Sequence, residues 1–124
     1  AAKSGKPKLK AYISANFEWA KSSPTHASLY LLFHYYSTYK PEYRELQKKV
    51  RAGGLARVGG LLDPIAVAEN WSAAKKNDIS HAIYQQLTGA LLEALSTTVP
   101  GTSDPTWDSA EKNALKSADL LLNS

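Results

Sequence analysis

The chain has 124 residues, 44% of them hydrophobic, and a formal net charge of +4. That is the size and apolar content of one small domain, and the lack of any cysteine excludes disulfides and thiolate metal centres. The charge is divided: residues 1–60 carry eleven Lys and Arg against three Glu, and residues 61–124 carry four Lys against eight Asp and Glu.

From the N-terminus, residues 1–7 read as a flexible basic arm, within a stretch that holds Lys3, Lys6, Lys8 and Lys10 and no acid. Leu9, Tyr12, Ile13, Phe17 and Ala20 then recur at helical spacing and predict a first helix over 8–21. Ser23-Pro24 places an N-cap before a proline at the first helical position, which predicts a second helix to about residue 39. Lys40-Pro41 breaks that helix and starts a third over 41–52. Its acids, Glu42 and Glu45, lie in the first turn and its bases, Lys48, Lys49 and Arg51, in the last, the order favoured by the helix dipole. Residues 53–60, Gly-Gly-Leu-Ala-Arg-Val-Gly-Gly, predict a hinge. Asp63-Pro64 opens a fourth helix to about residue 76, and Asn77-Asp78 caps a fifth carrying Ile79, Ile83, Leu87, Leu91 and Leu95. Val99-Pro100-Gly101 stops it. Asp104-Pro105 opens a sixth, with an apolar stripe of Trp107, Ala110, Ala114, Ala118 and Leu121. No segment alternates as a strand does. The expected fold is all-α: a basic N-terminal arm and first helix over 1–23, and a helical bundle over 24–124.

Catalytic and metal patterns are sparse. His26, His34 and His81 share no metal-ligand spacing, no serine sits in a nucleophile elbow, and the carboxylates are accounted for as helix starters. The chain is therefore expected to be no enzyme and to need no cofactor. Asn70-Trp71-Ser72 matches a glycosylation sequon, but the predicted fourth helix covers it. No secretory signal is visible, because no apolar run follows the basic N-terminus. The absence of Cys and Met is in keeping with a hot habitat.

Two features point to partners. The first is the basic half, where Lys3, Lys6, Lys8, Lys10 and Lys21 precede Arg44, Lys48, Lys49, Arg51 and Arg57; these are the candidate phosphate contacts. The second is aromatic crowding, since nine of the twelve aromatics lie in the first 43 residues. The run Leu29 to Tyr36 is apolar or amphipathic all round its helix, more than one small bundle can bury. Tyr30, Phe33, Tyr36 and Tyr39 are thus the candidate subunit contacts.

The order of these elements, with Ser22-Ser23-Pro24-Thr25-His26-Ala27-Ser28 and the later Ala82-Ile83-Tyr84-Gln85 heading an apolar helix, resembles the major coat proteins of filamentous and rod-shaped viruses of hyperthermophilic archaea, the lipothrixvirus and rudivirus group. The resemblance implies a coat subunit whose N-terminal helical segment wraps linear double-stranded DNA, held in A-form inside a helical virion. It implies a dimeric repeating unit, a homodimer in the rod-shaped viruses and a heterodimer of paralogues in the filamentous ones, which also carry a lipid envelope. By analogy the lysines and first helices would face DNA and the acidic bundle outward. A small helical chromatin-type protein of a thermophilic archaeon is the alternative, and a module binding anionic membrane a third.

Overall fold

The computed structural model describes residues 2–99 and 102–124, with side chains from residue 5 onward. It is all-α, with five helices: α1 (Ala2–Ser22), α2 (Pro24–Ser37), α3 (Pro41–Ala68), α4 (Ala73–Thr97) and α5 (Pro105–Leu122). Among the described residues there is no strand, and no helix is long and apolar enough to cross a membrane.

The predicted apolar stripes meet in one core. Leu9, Ile13 and Phe17 of α1 are fully buried against Val58, Leu62 and Ile65 of α3 and Ile83, Leu87 and Leu91 of α4, with Trp107, Ala114 and Ala118 of α5 closing the remaining side. Burying each large aliphatic or aromatic side chain contributes about 1.5–3 kcal/mol, so these seams hold the helices together. Residues 1–23 thus include a full partner in the bundle. The helix also starts earlier than expected. Residues 2–7 form its first turns, with Pro7 inside, where a free arm was predicted. Lys3 falls on this segment, and its side chain lies outside the described residues.

Three of the proline signals mark helix starts as read: Pro24, Pro41 and Pro105 each occupy the first turn of α2, α3 and α5. Asp104 caps α5 by accepting a hydrogen bond from the Thr106 amide at 2.8 Å. The middle of the chain differs. The predicted hinge at 53–60 and the predicted helix start at Asp63-Pro64 are both interior to α3, which runs unbroken for 28 residues. One of the four glycines there serves close packing, since a Cβ on Gly54 would overlap the Tyr84 ring of α4; on α1, a Cβ on Gly5 would likewise come within 2.7 Å of Ile65 Cγ1. Pro64 costs one backbone hydrogen bond, yet flanking Leu62, Ile65 and Ala66 are buried and hold the helix through it. Asp63, expected as a cap, pairs with Lys76 of α4 instead.

The true break lies at residues 69–72. Asn70 adopts φ 55°, and the amides of Asn70 and Trp71 bond back to the carbonyls of Val67 and Ala66 at 3.3 and 2.9 Å. This is a Schellman termination with Asn in the left-handed position. Ser72 then caps α4, its hydroxyl accepting from the Lys75 amide at 3.0 Å. Asn77 and Asp78, expected to cap a fifth helix, lie one turn inside α4, so the structure has five helices where six were predicted. The sequon at Asn70 also changes place, from a helix interior to an exposed turn. α4 ends at Thr97; the Pro100-Gly101 part of the expected stop lies outside the described residues.

Candidate nucleic-acid interface

α2 and the first half of α3 form an antiparallel hairpin that contributes little to the core. Between Ser28 and Arg57 no residue belongs to the hydrophobic core cluster. What fastens the hairpin is aromatic and polar. Trp19 of α1 meets Tyr30 edge-on at 6.1 Å, Tyr30 meets His34 at 4.5 Å, Phe33 meets Tyr43 at 6.1 Å, and Tyr36 stacks on Tyr43 at 5.8 Å. The His34 Nδ1–H donates to the Tyr30 carbonyl at 2.9 Å, which leaves Nε2 to accept from the Gln47 amide at 3.1 Å. Arg44 reaches across the turn, its Nε and Nη2 donating to the carbonyls of Ser37 and Thr38 at 3.2 Å each. A cation there also suits the negative end of α2.

This packing separates the four candidate subunit contacts. Tyr30, Phe33 and Tyr36 are half-buried within the hairpin's own aromatic cluster, and Tyr39 is 52% exposed. The exposed apolar residues of the hairpin are instead Leu29, Leu32 and Tyr35 on α2 and Tyr39 in the turn after it, with Tyr43, Leu46 and Val50 on α3. These are seven of the eleven exposed large hydrophobic residues among the described residues, so the exposure is concentrated rather than scattered. Leu29, Leu32 and Tyr35 recur every three residues, but in a run apolar or amphipathic all round, the sequence did not mark which side the packing would leave uncovered.

The basic residues divide by their partners. Lys10 pairs with Asp119 at 3.1 Å, and Lys21 with Glu18 at 3.4 Å and Asp108 at 3.8 Å, so two of the α1 lysines clasp acidic α5. At the α1–α5 seam, two lysines of the basic half thus meet carboxylates of the acidic half. Lys48 pairs with Glu45 within α3 at 3.0 Å. All of these pairs are substantially exposed, and such pairs are worth about 0–1 kcal/mol each. Among the described residues, Lys6, Lys8, Lys49, Arg51 and Arg57 have no carboxylate within ion-pair distance.

One geometric relation brings part of the set together. Along α3, Arg44, Lys48, Arg51, Leu55, Val58 and Leu62 follow one another at intervals of three and four residues, hence on one helix face. Where that face lies in the core it is apolar; where the helix leaves the core it turns basic. Lys49 and Arg57 lie off this line. Lys40 spans the turn with its ammonium over the rings of Tyr36 and Tyr43, at 5.7 and 5.8 Å. Among the described residues no three His, Asp or Glu side chains gather as a metal site.

Cations on α1 and α3 without carboxylate partners can hold a polyanion, and the exposed apolar residues of the hairpin can hold another protein surface. No family model, no curated protein and no solved structure matches the chain.

Proposed function

We propose that this chain is a structural nucleoprotein subunit, a virion coat protein that packages linear double-stranded DNA without sequence specificity in a helical filament. The observation that carries the reading is the face of α3 that changes from apolar to basic as the helix leaves the core, on the same hairpin that exposes the apolar stripe of α2. A coat needs both functions at once: cations for the duplex and an uncovered apolar surface for the next subunit, either a second copy or a paralogue. Phosphate contacts suffice for this task, because binding any genomic sequence requires no base readout. The resemblance of the Ser-Pro-Thr and Ala-Ile-Tyr-Gln segments to archaeal filamentous and rod-shaped virus coats supports the same assignment. Closely spaced helices around the duplex would exclude water and favour A-form; a B-form dichroism signature in assembled particles would refute that step.

The test is negative-stain microscopy of the protein mixed with linear duplex. Smooth rods of constant diameter are expected. Irregular coating or bending of the DNA would instead favour the chromatin-type alternative. Affinity should also fall with salt at about −0.9 in log K per log salt for each phosphate neutralised, about −4 to −5 for the five unpaired cations. Salt-independent binding would remove the basis of the proposal.

A further inference from the structure

Where α1, α2, α3 and α4 meet, Tyr12, Asn16, Tyr30, Arg57, Tyr84 and Thr88 line a cleft of about 100 Å³ floored by Leu87 and Leu91. Its chemistry is one-sided. Its lining residues include three tyrosines, an asparagine, a threonine and an arginine, and no aspartate or glutamate. The larger groove between α3 and α4 differs, since it contains Asp63 already paired with Lys76. Arg57 is exposed and has no ion-pair partner among the described residues. Burial, with the neighbouring phenols of Tyr84 and Tyr12 and against a hydrogen bond from Thr88, raises the Tyr30 phenol above its ordinary range, so it stays a donor. Tyr84 is seated at the cleft because Gly54 has no Cβ to displace its ring.

We propose that this cleft is an oxyanion site that takes one phosphate group, with Arg57 supplying the charge at its mouth and the phenols of Tyr12, Tyr30 and Tyr84 supplying neutral donors. The lining sets the class of ligand: a cation and neutral donors, with no carboxylate among these residues, select an oxyanion. A guanidinium with hydroxyl donors suits phosphate, because hydrogen bonds to an ionised acceptor are about twice as strong as neutral ones. Free phosphate and a duplex phosphodiester present the same group, so the site does not depend on the coat reading.

The test is an amide-detected NMR titration of the full chain with inorganic phosphate, matched in ionic strength by chloride. Saturable shifts confined to Tyr12, Tyr30, Arg57, Tyr84 and Thr88 are expected with phosphate and not with chloride. Arg57→Ala should weaken binding about tenfold or more, and Tyr84→Phe, which keeps the ring on Gly54, several-fold. Lys112→Ala, an exposed cation on α5 outside the cleft, should leave it unchanged. Non-saturating shifts, an equal chloride response, or equal losses in the Lys112 and Arg57 variants would overturn the site. Addition of a short duplex then identifies the source. Displacement of phosphate from these amides assigns the site to the nucleic-acid backbone, and unaffected phosphate binding assigns it to the free anion. Duplex binding without any phosphate shift refutes the cleft and leaves the coat reading standing; phosphate shifts without duplex binding do the reverse.

Discussion

Replacing adjacent Gly53 and Gly54 by alanine should move stability in opposite directions. Both residues lie inside α3, where Ala is favoured over Gly by about 1 kcal/mol. A Cβ on Gly53 meets nothing within 4 Å, so Gly53→Ala should gain most of that amount. A Cβ on Gly54 overlaps the Tyr84 ring, which must leave its seat between α3 and α4. Overpacking of this kind costs about 1–3 kcal/mol, so Gly54→Ala should come out destabilised by up to about 2 kcal/mol. With an unfolding entropy of about 2.1 cal/mol/K per residue, 1 kcal/mol corresponds to about 4 °C in Tm for a chain of this length. Thermal unfolding followed by circular dichroism should therefore place Gly53→Ala about 4 °C above the parent and Gly54→Ala below it by up to about 8 °C. In a Tyr84→Ala background the overlap is gone, and Gly54→Ala should become stabilising, a coupling of at least about 1 kcal/mol by double-mutant cycle. Equal shifts from the two single substitutions would refute the packing argument and restore the hinge.

Ser72→Ala removes the cap of α4 and should lower stability by about 1 kcal/mol, read from the urea midpoint at unchanged m. The hydrogen bond from the Thr106 amide, and then the Thr106 hydroxyl, holds the Asp104 carboxyl below its usual range. A depressed carboxylate contributes stability that is full above its unfolded pKa and is lost as pH falls through the folded value. Asp104→Asn should thus flatten the acid limb of stability below about pH 4, and an unchanged limb would show that the cap does not titrate with folding. Joint substitution of Lys49 and Arg51 by alanine should reduce the salt slope of duplex binding by about 2, measured by fluorescence anisotropy at several salt concentrations. Leu29→Glu with Leu32→Glu should leave the helical content intact and abolish self-association in sedimentation velocity; retained assembly would show that the α2 face is not the contact.

Fold class and helix ends were legible wherever a local signal had no tertiary competitor. Ser23-Pro24, Lys40-Pro41 and Asp104-Pro105 each mark a helix start as read, although the Ser23 hydroxyl makes no cap bond. Gly53-Gly54 and Pro64 misled because the same residues that weaken a helix locally also permit close approach or are carried by buried neighbours. What Gly54 gains from Tyr84, 30 residues away, is invisible to a window of local sequence. Asn70 was a missed signal of the readable kind, since Asn just after an apolar run is a known left-handed terminator. The candidate cations were likewise identifiable as residues but not as free or engaged. Lys10 and Asp119, or Lys21 and Asp108, become neighbours only when α1 packs on α5.

The unbroken course of α3 has a mechanical consequence. At 1.5 Å per residue its 28 residues form a beam of about 42 Å, clamped in the core over its second half and cantilevered through the hairpin over its first. With Gly54 seated on Tyr84 at the point of support, the beam has no joint where a flexible pair of glycines would have provided one. A force applied at Tyr39 or Leu46 therefore reaches Val58, Leu62 and Ile65 as a torque on the whole bundle, not as a local bend. Subunits joined through such hairpins pass load from core to core, and an assembly built on them would be stiff in bending.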